Sequence, residues 1–474
     1  MRTIAIIISL LTGYLAKSQD SLSFYLTAAA KNNPTVLQKF NEYQAALQKV
    51  PQVGSLPDPE LNMGVFLSPM ELVSGNQVAD LRLMQMFPWF GTLRAAKDEM
   101  SLMANAKYES FRDAKLQVFY EVQQTWYELY KVRQNIVLSE KNINILKTIE
   151  RLALVRFKST PLSNSNTSTS GSAMPASVLQ NTGNSPGMGG MGSSAGSITG
   201  AVSQSQTSQG MQTNSMGSSA SGSSLSDLYR IQIEIGELEN NTALLKNQQN
   251  TLVAKFNSYL NRDVVSPVTL PDSLTVEPLD IPLEAVSDSM LANNPMLGML
   301  LYEQQSLDSR KKMVTKMGYP MIGVGLNYSV INKNEMSTSA MNGKDMVMPM
   351  VTMTLPIYRK KYRAMQAEAD LLKSATAQNF TASANSLKTE YYQAVQLYQD
   401  AQRRVVLYTN QRLLADKSLD IMIKSFAASG SGLTDILRVR QQTLDYEYKQ
   451  TEAVADYNTS VAWLKRLMAF PQIQ

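Results

Sequence analysis

Thioethers are the distinctive chemistry of this chain, whose 474 residues include 27 Met but no Cys and no His. Methionine sulfur is a soft ligand suited to Cu(I) and, by the same logic, to Ag(I). Met174, Met188, Met191, Met211 and Met216 lie in one stretch dominated by Ser, Gly, Thr, Asn and Gln. Within it Gly187-Met188-Gly189-Gly190-Met191-Gly192 leaves a backbone free to wrap an ion, so Met188, Met191, Met211 and Met216 are the candidate metal ligands. A second group, Met346, Met348, Met350 and Met353, falls on a strand-like segment, where the first three share a face. The plainer alternatives are apolar filler on the strand and a passive linker in the Ser/Gly-rich stretch.

Other chemistry is restricted. Without His and Cys there are no usual zinc ligands, no Ser-His-Asp triad and no thiol nucleophile. Neither a Gly-rich phosphate loop nor a recognisable pair of catalytic acids is present, so the reading is a non-enzyme with no cofactor. The net charge of +5 is spread without a Lys or Arg block, which argues against a nucleic-acid partner.

The elements that must hold these residues are written twice. Asn32-Asn33-Pro34 returns 261 positions later as Asn293-Asn294-Pro295. The segment Met86-Phe87-Pro88-Trp89-Phe90-Gly91-Thr92-Leu93-Arg94 is answered by Thr354-Leu355-Pro356-Ile357-Tyr358-Arg359-Lys360, and Phe157 by Phe426. Ser226-Asp227-Leu228 then matches Thr434-Asp435-Ile436 at a shorter offset, so the first copy carries about 61 extra residues in one place. Units this long are not solenoid repeats, and a tandem duplication of a whole half is the better reading.

Each copy opens with a helix, the first from Leu22 to about Val50, where Pro51, Pro57 and Pro59 break it. A ribbon follows. Leu61, Met63, Val65 and Leu67 alternate with Asn62, Gly64 and Phe66, and Leu81 and Leu83 alternate with Asp80 and Arg82 on the return. In the second copy Ile322, Val324, Leu326 and Tyr328 alternate with Gly323, Gly325 and Asn327, the loop from Ile331 to Asp345 is polar, and Met346 to Leu355 returns. Leu93 to Lys158 contains neither Pro nor Gly, enough for a helix of about 99 Å. Val122, Trp126, Leu129, Val132, Ile136, Ile143, Leu146 and Ile149 form its seam, with one gap at Ser139. Tyr362 to Ala428 repeats the design, and each long helix turns back into a shorter one, Leu225 to Leu260 and Leu433 to Met468.

Met1-Arg2-Thr3, the short apolar run Ile4 to Leu15 and Ala16-Lys17-Ser18 read as a secretory signal cut after Ser18. No segment reaches 18 consecutive apolar residues, so no transmembrane helix is expected. Four strands per protomer cannot close a barrel, and open edges in a bilayer leave backbone groups unpaired. Three protomers would supply twelve strands. The chain thus divides into a signal peptide (1–18), a first repeat (19–158), a Met/Gly/Ser-rich insert expected to lack order (159–224), the return helix of the first repeat with a linker (225–279), and a second repeat (280–474).

These features together resemble the TolC family of outer-membrane efflux proteins over essentially the whole mature length, and the methionines point to its metal-efflux branch. The duplicated Asn-Asn-Pro starts, Phe-Pro-Trp-Phe-Gly and Leu-Pro-Ile-Tyr-Arg leading into the long helices, and the Asp-Leu and Asp-Ile-Leu restarts carry the resemblance. It implies an α+β membrane protein, a TolC-like channel-tunnel in which a trimeric 12-stranded β-barrel sits on a long α-helical coiled-coil barrel. The implied location is the cell outer membrane, in contact with its lipid, with the helical tunnel in the periplasm. The implied partners are two further copies, a periplasmic adaptor and an inner-membrane pump. At the helical tips it places aperture residues at Asp435, Asp227 and Ser226, and adaptor contacts at Arg156, Phe157 and Phe426. Phe426 stands where a holding Tyr is expected, Ser431 where a holding Arg is, and Arg438 where a second acid is, so the gate is held differently here. The residue-level alternative for Asp227 and Asp435 is a carboxylate facing a helix dipole. Two other functions share parts of this design: the exit duct of a type I protein-secretion system, and a structural periplasmic coiled coil that conducts nothing.

Overall fold

The structure is a computed structural model that describes residues 21–159, 223–279, 282–427 and 432–470. Each repeat opens on an asparagine cap. Asn33 separates α1 (Ser21–Asn32) from α2 (Pro34–Gly54), and its Oδ1 accepts from the backbone N–H groups of Thr35 and Val36 at 2.9 and 3.3 Å. Proline fits the first helical position, where its missing N–H is no loss. Asn294 caps α6 (Pro295–Met317) after α5 (Leu283–Asn293) in the same way, accepting from Met296 N at 2.9 Å. The single helix expected from Leu22 to Val50 is therefore two, because the residue before proline is held in the extended region. Pro51 does not break α2 either, since it lies in the last turn. There the Ser55 hydroxyl donates to Pro51 O at 2.7 Å and Gln52 Nε2 to Gln48 O at 2.9 Å, so polar side chains satisfy carbonyls at the frayed end.

Asn33 does more than cap. Its Nδ2 donates to Tyr259 O at 2.9 Å, tying the α1–α2 junction to the end of α4 (Ser223–Tyr259). Asn33→Ala is expected to lower the unfolding free energy by about 1–2 kcal/mol, combining the lost cap with an unsatisfied carbonyl. Asn32→Ala, at an exposed position, serves as the control in the same denaturant titration.

Four strands make one antiparallel sheet in the order β1 (Glu60–Leu72), β2 (Gly75–Phe87), β3 (Met321–Asn332), β4 (Met346–Thr354). The two expected ribbons are thus joined, with β2 pairing β3 from Asn76↔Asn332 to Phe87↔Ile322. The β3–β4 loop also docks on the β1–β2 turn: Ser337 Oγ donates to Val73 O at 2.7 Å and Gly343 N to Ser74 O at 3.1 Å. Gly75 makes this approach possible, because it sits at φ +122° with Asn332 O where a Cβ would be.

Each ribbon leads on in the chain to a long helix, α3 (Thr92–Ser159, 68 residues) and α7 (Arg359–Ala427, 69 residues), with a length of about 100 Å at 1.5 Å per residue. α8 (Leu433–Leu467) returns along α7. The chain divides into two compact units, Met1–Asn144 with Gly236–Gln474, and Ile145–Ile235. In the larger unit Val122, Trp126, Leu129, Val132 and Ile136 of α3 are all buried against Tyr25, Leu252, Phe256 and Ala462, as their three-and-four spacing requires. The gap in the seam is filled by a polar contact, for Ser139 is buried with its hydroxyl against Tyr448 Oη of α8. A second core joins Val286, Met290 and Leu297 to Leu387, Ala394 and Leu464. In the smaller unit Gln232 Nε2 donates to Glu150 Oε1 at 2.9 Å.

Candidate channel wall and helical tips

Strand register sorts the sheet residues onto two unlike faces. On one, Leu61, Leu83, Leu326 and Pro349 form a row across all four strands, and Met63, Leu81, Tyr328 and Val347 form the next. Val324 pairs with Gln85 and Val351, and Ile322 with Phe87 and Met353. On the other face the rows are Asn62, Arg82, Asn327 and Met348, then Gly64, Asp80, Ser329 and Met346, then Glu60, Met84, Gly325 and Met350. Apolar on one side and polar on the other is the alternation of a sheet with lipid on one face and water on the other. Leu61, Met63, Val65, Val324 and Val351 are all exposed in the single chain. The outer edges of β1 and β4 carry no strand partner among the described residues.

An aromatic collar marks the foot of the sheet. Trp89 stacks on Tyr319 with ring centroids 5.3 Å apart and planes 19° apart. A cavity of about 400 Å³ lies beside it, lined by Leu56, Phe87, Trp89, Phe90, Leu93, Pro320 and Ile322. Phe90, Ile357 and Tyr358 are exposed just beyond the strand ends, and of these Tyr358 has the amphipathic ring enriched at membrane–water boundaries. Gly91, at φ +78°, leaves room for the Lys316 ammonium, which donates to Gly91 O at 3.3 Å.

At the tip of the second hairpin α8 starts after Gly432, which offers no side-chain cap. Asp435 is the third helical residue and is exposed; its Oδ2 would lie 3.5 Å from a Cβ on Gly432, so the carboxylate leans back over the helix start. That is the position in which a carboxylate meets the positive end of the helix dipole. Arg438 is exposed one turn further on. Ser226 is exposed in the first turn of α4. The backbones of Arg156 and Phe157 lie in α3, Asp227 in α4 and Phe426 in α7, while their side chains lie outside the described residues. Met188, Met191, Met211 and Met216 also lie outside them. Along α7 Leu407, Leu414 and Ile421 are exposed at seven-residue spacing, an apolar stripe of the kind that packs on another helix.

Neither Met84 nor Met86 is among the thioethers that the sequence singled out as ligands. They stand two apart on β2, as Gly323 and Gly325 do on β3, and that shared spacing was the available signal.

No protein-family model and no curated protein matches the chain. Solved structures do. The crystal structure of the Campylobacter jejuni CmeC outer membrane channel matches at 12% identity over 95% of this chain and 86% of that one, with a TM-score of 0.68. The open state of the Neisseria gonorrhoeae MtrE outer membrane channel matches at 13% over 94% and 88%, with a TM-score of 0.66. The outer membrane protein VceC of Vibrio cholerae matches at 10% over 94% and 96%, with a TM-score of 0.64. With two repeats of helix, β-hairpin and long helical hairpin in the same order, this chain has the fold of the TolC-like channel-tunnel protomer.

Proposed function

We propose that the chain is the outer-membrane channel of a tripartite efflux system, assembled from three copies and engaged by a periplasmic adaptor and an inner-membrane pump. The observation that carries this reading is the four-stranded sheet with one apolar face, one polar face and two open edges, continuous with helices of about 100 Å. An open edge in lipid is untenable, and twelve strands from three copies close it with apolar residues outward. The heptad-spaced stripe of Leu407, Leu414 and Ile421 supplies a contact for a neighbouring copy in the helical part. In this reading Ser226 and Asp227 near the start of α4, and separately Asp435 and Arg438 near the start of α8, are candidate aperture residues, while Arg156 and Phe157 of α3 and Phe426 of α7 are candidate adaptor contacts. Planar-bilayer recording with purified protein is the test. Discrete conductance steps from a heat-modifiable trimer are expected. A monomer with no conductance would leave the structural coiled coil as the reading.

A further inference from the structure

We propose that the polar face of the sheet carries a thioether site for soft monovalent cations of the Cu(I) and Ag(I) class, centred on Met84, Met86 and Met350. The proposal rests on the duct reading, which turns this face toward the lumen.

Met84 and Met350 sit in one row on either side of Gly325. Neighbouring strands are about 4.8 Å apart, so these two residues are about 10 Å apart at Cα, with no side chain between them. Two thioethers leaning inward across that gap can meet on one ion. A Cβ on Gly325 would come within 2.8 Å of Leu83 O, so the gap is held by glycine. The neighbouring row repeats the device: Met86 pairs with Gly323, and its Sδ lies 2.6 Å from where a Cβ on Gly323 would stand. Gly323 therefore lets a sulfur lie flat over the β3 backbone.

Apolar filling does not explain the arrangement. Filler belongs on the opposite face, where Met353 lies with Ile322 and Phe87. Met346 and Met348, further along β4, are 45% and 46% exposed among Asp80, Ser329, Asn62, Arg82 and Asn327. The charged groups on these rows are Glu60, directly opposite Met84, then Asp80 and Arg82, a balance of one negative charge that favours a cation. Thioethers bind soft ions without a proton to displace and exchange them readily for further thioethers, which suits a passing cargo more than a resident metal.

The test is silver block of single-channel current in a nitrate electrolyte, using the full chain. Micromolar Ag(I) is expected to reduce the native current, and Met84→Leu/Met86→Leu/Met350→Leu to raise the half-blocking concentration by about tenfold or more. Leucine keeps the volume, so conductance without silver stays native. Met353→Leu leaves the block unchanged. Should the triple variant fail to insert, Met84→Leu and Met350→Leu singly carry the same comparison. Native channels that conduct but ignore silver, or a block that all variants share, overturn the site and leave the duct intact. Absence of any conductance overturns the duct reading, and the site with it.

Discussion

Val324→Arg is expected to abolish the heat-modifiable trimer of the proposed outer-membrane channel, whereas Ser329→Arg leaves it at native level. The two positions lie five residues apart on β3 and point to opposite faces of the sheet. Val324 stands between Gln85 and Val351 on the apolar face, which the proposed barrel turns to lipid, where an arginine near the midplane costs about 2–4 kcal/mol. In the proposed trimer that cost is incurred three times, which is comparable with the whole stability of an ordinary domain. Ser329 pairs with Asp80 and Met346 on the polar face, where a guanidinium keeps its water. Gel mobility with and without heating reads both variants, and equal behaviour of the pair would remove the membrane assignment of the apolar face.

Arg440→Met is expected to lower the unfolding free energy of the helical body by about 3–5 kcal/mol, and Arg440→Met/Glu447→Leu to recover most of the loss. Both side chains are buried, at 6% and 5% exposure, and Arg440 Nη2 lies 3.9 Å from Glu447 Oε2. Arg440 Nε donates to Asn142 Oδ1 on α3 at 2.6 Å, so the pair ties α8 to its neighbour. Removing the arginine strands a carboxylate whose other cationic contact, Arg412 Nη2, is 3.9 Å from Oε1. A buried charge without its partner is costly, while replacing both members by apolar groups is close to neutral. Circular dichroism during denaturant titration in detergent separates the outcomes. A single variant as stable as the native chain would show that the pair contributes nothing to packing.

Much of this fold is legible in the amino-acid order because its elements are long and locally determined. The seam from Val122 to Ile136 repeats every three or four residues, and the structure buries each member. Asn33-Pro34 and Asn294-Pro295 mark helix starts by cap chemistry alone. The break at Asn33 was readable from Pro34, whereas the helix continues through Pro51 to Gly54, with Ser55 and Gln52 donating to carbonyls of its last turns. The tip residues fared differently. Asp435 is placed as an exposed helix-start carboxylate leaning back toward Gly432, an arrangement that its spacing from Phe426 does not specify.

The amino-acid order alone determined the duplication, the long helices, the alternation of the strands and the class of chemistry open to a chain with 27 Met and no His or Cys. Period and composition are properties of neighbours along the chain, so they need no partner to be seen. Tertiary structure decided that β2 pairs β3, that Ser139 meets Tyr448 and Arg440 meets Asn142, and that Met84 and Met350 flank Gly325. Each of these joins residues more than 200 positions apart or sets the register of one strand on another. Such pairings are selected by the burial of whole faces at once, which no local window contains.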